Sequence, residues 1–251
     1  MIDVLCRLRW AVRCPSYALV RAISGPTSDW NRRVNLNRRI RSLSALLGTG
    51  PENVQRILSE SRESPILQSV EKTVSGLPNL ATFRGGPELY VVIRQSRPTN
   101  VIETGVGAGY SSAYILTALS ENGTGTLHSI DMPALDSAWS LPTGRSPGFL
   151  VPEALRSRWD FHLGYVRQVL PVLLSNLGVI DCYFHDSDHS YENMMSEFRL
   201  GYQHLKNGGC LVSDDVTLNC AMLDFASEAR RDVHLVYHHG PSSPFGVILK
   251  N

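Results

Sequence analysis

The chain has 251 residues, 43% of them hydrophobic and 19% charged, with a net charge of +1. That is enough to bury a large core and is ordinary for a globular domain. Five cysteines without Cys-x-x-Cys spacing imply neither a zinc site nor a disulfide framework, and are expected to be reduced thiols in a cytoplasmic protein. No apolar run is long enough to span a bilayer and no secretory leader is evident, which excludes a membrane-embedded function.

The near-neutral total hides an asymmetry. The first 50 residues carry nine arginines against Asp3 and Asp29, a local charge of +7 that leaves −6 for the rest. Arg32, Arg33, Arg38, Arg39 and Arg41 interleave with Val34, Leu36, Ile40 and Leu43, which predicts a helix with a basic face and an apolar face. Such a helix serves an anionic membrane surface, nucleic acid, or docking on the rest of the protein or on a second copy of it. No aromatic platform for bases accompanies it, which speaks against nucleic acid and favours a helical cap with solvated arginines. Residues 52–75 predict two short helices broken at Pro65. Loops punctuated by Gly76 and by Gly85-Gly86-Pro87 then divide a basic helical region, 1–78, from a second region, 79–251, that opens on a helix over 88–96.

Residues 101–110, Val-Ile-Glu-Thr-Gly-Val-Gly-Ala-Gly-Tyr, predict a strand, a glycine turn and a helix N-terminus. Gly105, Gly107 and Gly109 allow a ligand to lie against the main chain, while the first amides of the helix, from Ser111 on, face it unpaired. Dinucleotide turns use Gly-x-Gly-x-x-Gly; here the third glycine comes one residue early, and Glu103 stands where a pyrophosphate would be repelled and a cation welcomed. S-adenosylmethionine, with an amino group and a sulfonium, meets that requirement better than a nicotinamide dinucleotide. The next strand, 126–131, ends in Asp131, followed by Met132, about where a ribose diol needs an acceptor.

Residues 133–152 hold four prolines and two glycines with little periodicity, so a long loop is expected, with Trp139 and Phe149 placed to close over a substrate. A strand over 159–163 and a helix over 166–177 follow. The next buried strand, 180–184, ends in His185-Asp-Ser-Asp-His-Ser-Tyr191, at the edge where open parallel sheets place their ligands. A strand end does not align His185 with His189 as a helix would, which argues against zinc there. Asp186, with Asp214 and Asp215 after the strand 210–213, forms a set of carboxylates that repel one another unless a cation such as Mg²⁺ offsets them. A helix over 192–205 joins these two strands; a helix over 222–230 and strands over 234–237 and 245–249 complete the chain, the last two joined closely enough to run antiparallel.

Four segments together, Glu103-Thr-Gly-Val-Gly-Ala-Gly-Tyr-Ser-Ser112, Ser129-Ile-Asp-Met-Pro133, His185-Asp-Ser-Asp-His-Ser-Tyr-Glu192 and Gly208-Gly-Cys-Leu-Val-Ser-Asp-Asp215, resemble class I S-adenosylmethionine-dependent methyltransferases, in the small-molecule O-methyltransferase-like branch. The resemblance covers about residues 80–250. It implies an α/β, Rossmann-like fold: a seven-stranded, mostly parallel sheet with helices on both faces and an antiparallel last strand, here behind an N-terminal helical cap. It implies methyl transfer to a hydroxyl of a sugar, lipid or natural-product acceptor. In metal-dependent relatives the ion's ligands map onto Asp186, Asp214 and Asp215, and the lysine base maps onto His189, which accepts a proton near neutral pH. Relatives often carry an acid where Tyr165 stands, so this chain departs from them in how it would meet an adenine. A cofactor-binding scaffold without methyl transfer and an RNA methyltransferase using the basic N-terminus are the alternative readings.

Overall fold

The computed structural model describes residues 4–13, 29–77, 80, 82–133, 141–142, 144–238 and 244–251. Its centre is a seven-stranded sheet of β1 (Asn100–Thr104), β2 (Thr126–Asp131), β3 (Trp159–Leu163), β4 (Ile180–His185), β5 (Leu205–Ser213), β6 (His234–Val236) and β7 (Phe245–Leu249), in the order β3-β2-β1-β4-β5-β7-β6. The first five strands are parallel, and β7 runs antiparallel to both β5 and β6. This is the expected architecture, reversed last strand included. At the centre of the sheet Val101 and Ile102 of β1, Cys182 to Phe184 of β4 and Cys210 to Val212 of β5 are apolar on both faces because helices cover both.

Alternation along each strand sorts the core into two layers. Val101, Leu127, Phe184, Val212 and Val247 face one layer, with α5 (Gly86–Ser96) and α6 (Tyr110–Asn122). Ile102, Ile130, Tyr183, Leu211 and Ile248 face the other, with α7 (Val166–Leu177), α8 (Tyr191–His204) and α9 (Ala221–Ala229). The strand β5 is longer than its sequence suggests. It starts at Leu205 rather than Cys210: Gly208 takes a positive φ and the pairing with β4 shifts register between Ile180 and Cys182, and the strand runs through both glycines.

The N-terminal region is helical, but it does not form one cap. The helices α2 (Asp29–Leu47), α3 (Pro51–Glu63) and α4 (Pro65–Ser75) join the layer of α5 and α6, whereas α1 (Val4–Arg13) packs on the opposite face. Each of α3 and α4 begins with proline at its first turn, and the Ser64 hydroxyl caps α4. The arginine face is in part turned inward. Arg38 stacks over Tyr237, and Arg39 pairs with the fully buried Glu88, whose carboxyl burial pushes up to about 7 even with Arg39 beside it. The basic stripe therefore serves docking at these two positions; the side chains of Arg32 and Arg33 lie outside the described residues.

The expectation of five reduced cysteines is corrected. Cys6 in α1 and Cys220, the residue before α9, form a disulfide with their Cα atoms 5.6 Å apart, while Cys182 and Cys210 are buried free thiols. Trp10, 1% exposed, holds the same contact by donating from Nε1 to the Asn219 carbonyl, and Arg9 pairs with Asp224. Sequence spacing has no power over a pair 214 residues apart. Cys14 lies outside the described residues. No described helix is long and apolar enough to cross a membrane.

Candidate active site

Two turns meet at the point where the strand order reverses. From β1 the chain crosses through α6 to β2; from β4 it crosses through α8, on the other face, to β5. Open α/β sheets bind ligands in the crevice that opens there.

The first turn carries the three glycines, all with positive φ, at +83° for Gly105, +51° for Gly107 and +89° for Gly109. Their reasons differ. A Cβ on Gly105 would stand 2.1 Å from the Asp186 carbonyl oxygen, and one on Gly109 would stand 2.8 Å from Gly148 Cα, so these two are glycines because backbone packs against them. A Cβ on Gly107 would meet nothing within 4 Å. That open space is where a ligand can approach the main chain. Part of the expected long loop folds back on this turn, with the Gly148 and Leu150 amides donating to the carbonyls of Gly107 and Ala108. Phe149 is half-buried against the core, with Arg145 over its ring, rather than free to cover a substrate. Trp139 lies outside the described residues.

Glu103 requires a correction. It is completely buried behind the turn, not presented at its mouth. Ser111 donates to its Oε1, and Ser112 and Ser129 donate to its Oε2, each at 2.6–2.7 Å. Burial raises its carboxyl above the usual range, and the three hydroxyls work against that rise. Glu103 thus anchors α6 and β2 beneath the turn, and the Ser111 side chain, 2% exposed, is spent on the same task. Asp131 does reach the turn. Its Oδ2 accepts from the amides of Val106 and Gly107, at 3.1 and 2.7 Å, and its Oδ1 accepts from Met132. Burial raises this carboxyl too, against those three amides.

The second turn carries the acids. Asp186 is about a fifth exposed, and its carboxyl is pushed well above the ordinary range by burial, then by Asp214, Glu103, Asp215 and Asp131 in turn. Burial and then Asp215 push Asp214 up to about 7. Asp215 adopts φ +48°, a costly backbone for a residue with a side chain. Among the described residues the set of three histidine and acidic side chains whose donor atoms all lie within 4.8 Å is His128, Asp160 and His162, on β2 and β3. The oxygens of Asp186, Asp214 and Asp215 stand farther apart than that, so an ion binding them would have to draw them together.

His189 lies beside them, with its Nε2 3.8 Å from Asp186 Oδ1, shielded from solvent and without a hydrogen-bond partner. Burial and His185 lower its pKa below the ordinary 6.5, outweighing Asp215, Asp188 and Glu197. His185 is fully buried, and its ring meets that of His189 edge-on at 5.3 Å. Beneath both sits Glu197 of α8. It accepts from Thr104, Tyr183, Ser187 and Asn193 at 2.6–2.8 Å and meets His185 Nδ1 at 2.9 Å. Burial alone would raise its carboxyl, but His185 and the hydroxyls hold it down at about 2. Sequence reasoning missed Glu197. The signal was an acid inside the apolar stripe of Met194, Met195 and Phe198, a position the core tolerates only with partners.

The sheet order, the glycine turn at its switch point and the acid-tipped β2 are those of the Rossmann-like methyltransferase class. Residues 102–216 match the family model described as a methyltransferase domain. Its fold is similar to that of the O-methyltransferase TomG from Streptomyces achromogenes, in complex with SAM and involved in tomaymycin synthesis, at TM-score 0.57 and 17% identity over 78% of this chain and 96% of that one. It is similar to an O-methyltransferase from Bacillus cereus in complex with SAH, at TM-score 0.53 and 14% identity over 75% and 92%. The SAH-bound Podospora anserina methyltransferase PaMTH1 matches at TM-score 0.52 and 12% identity over 90% and 98%. No curated protein matches the chain by sequence.

Proposed function

We propose that this protein transfers the methyl group of S-adenosylmethionine to a hydroxyl of a small-molecule acceptor. The observation that carries the reading is the open space over Gly107, beside Asp131, at the switch point of the sheet. The cofactor would lie along residues 105–109, against amides at the start of α6. Asp131 would take the ribose diol, since each carboxylate oxygen accepts more than one hydrogen bond. Glu103 and Ser111 support this turn from behind. The acceptor would sit over the turn after β4. When bound, S-adenosylmethionine would supply an electrophilic methyl group in line with the acceptor's hydroxyl oxygen, its sulfur leaving as S-adenosylhomocysteine, and the vacant Nε2 of His189 would take the hydroxyl proton. The similarity to TomG, involved in tomaymycin synthesis, supports a small acceptor. The inward engagement of Arg38 and Arg39 speaks against a basic surface for RNA.

Asp186, Asp214 and Asp215 are the residues that would hold Mg²⁺, because their mutual repulsion leaves negative charge to offset. When bound, the ion would supply positive charge that steadies the acceptor oxygen as it loses its proton. Excess chelator is expected to suppress turnover while S-adenosylmethionine still binds. Full activity in chelator removes the metal from the reading.

The cofactor assignment is tested by calorimetry with S-adenosylhomocysteine. Asp131→Ala is expected to weaken binding by about 1.5–3 kcal/mol, the scale for losing a charged hydrogen-bond acceptor. An unchanged affinity would place the ribose elsewhere, and absence of binding by the wild type would remove the cofactor from this turn.

A further inference from the structure

A second cluster lies away from the crevice, on the face of the sheet that α7 covers. Within the sheet β3 is the last strand at its edge, and the register sets His128 of β2 opposite Asp160 of β3 and Ile130 opposite His162. Residues opposite each other on neighbouring strands, and those two apart on one strand, share a face at about 5–7 Å between Cβ atoms. The three side chains use that closeness. His128 Nδ1 and His162 Nε2 each stand 2.9 Å from the same oxygen, Asp160 Oδ2.

We infer that His128, Asp160 and His162 form a binding site for a transition-metal ion, with zinc as the occupant. Two imidazoles and one carboxylate are a donor set for zinc and its neighbours in the first row, whereas magnesium prefers oxygen alone. The spacing suits it as well. Bonds of about 2.0–2.2 Å to a tetrahedral ion hold donor atoms roughly 3.3 Å apart, and here the three lie within 4.8 Å of one another without any ion to gather them.

The local chemistry agrees. His128 is 8% exposed, and its ring is held at the sheet face with Nδ1 turned towards Asp160 Oδ2, the nitrogen that would ligate the ion. Asp160 remains a ready ligand. The Asp160 side chain is 49% exposed and that of His162 31%, which leaves a path for the ion and a side open for water as a fourth ligand. The cluster is separate from Asp186, Asp214 and Asp215, which lie beyond β1 in the sheet.

The test is equilibrium dialysis of the full chain, without an affinity tag, against zinc in the presence of excess magnesium to occupy the carboxylates at the crevice. The wild type is expected to retain one zinc more than His162→Ala or Asp160→Ala. For these variants zinc affinity should fall by at least the roughly 10- to 100-fold that loss of an outer partner already costs. Both altered residues are partly exposed, so the fold should survive, and circular dichroism in chelator checks that. Cobalt(II) in place of zinc should give the wild type a visible absorption band that His162→Ala lacks. A wild type that retains no zinc, or variants that retain as much as it does, overturns the inference.

Discussion

Glu197→Ala is expected to lower the unfolding free energy by about 3–5 kcal/mol, the scale for removing one partner from a buried ionic network. The loss is large because it is shared by many groups. Thr104, Tyr183, Ser187 and Asn193 would each lose an acceptor, and His185, already without a partner at Nε2, would lose its contact at Nδ1 as well. Urea unfolding of the wild type and the variant measures it. The pH dependence has a definite sign. With its carboxyl at about 2 in the folded state against an ordinary 4.5, Glu197 contributes stability that is whole above pH 4.5 and is lost as pH falls towards 2. The variant should lack that part of the acid sensitivity. A change below about 1 kcal/mol, the net worth of a single ordinary hydrogen bond, would show that the network is not a unit.

His189→Ala is expected to reduce kcat by about 10²- to 10⁴-fold, the range for a lost general base, with S-adenosylhomocysteine affinity nearly unchanged. A base works when deprotonated, so activity should fall as pH drops through the pKa of His189. Since burial and His185 lower that value, the acid limb of the wild-type profile should lie below pH 6.5 and vanish in the variant. An undiminished His189→Ala enzyme would leave the ring as packing for the turn after β4.

What could be read in the sequence was what is local. The strand from Thr126 to Asp131 and the helix from Val166 to Leu177 stand at the expected residues, because apolar runs bounded by glycine and polar residues signal both ends. The glycine turn was equally legible, since three glycines at alternate positions have few other uses. Which of them faces a ligand was not. That depends on the Asp186 carbonyl and Gly148, which come from distant segments. Glu103 misled for a related reason: three serines from two elements converge on it, and only the paired register of β1 and β2 brings Ser129 alongside. The N-terminal region was read as one body because it is helical throughout and ends at a glycine-punctuated loop, yet its helices part to opposite faces of the sheet.

The link between Cys6 and Cys220 also changes what the chain is when it is not folded. It closes most of the polypeptide into a covalent ring. An oxidised chain unfolds to a compact loop rather than to a long coil, and so exposes less new surface and responds less steeply to denaturant than its reduced form. A protease that cuts the ring once produces no fragments until a thiol is added, and the two forms should migrate apart on a denaturing gel run without reductant.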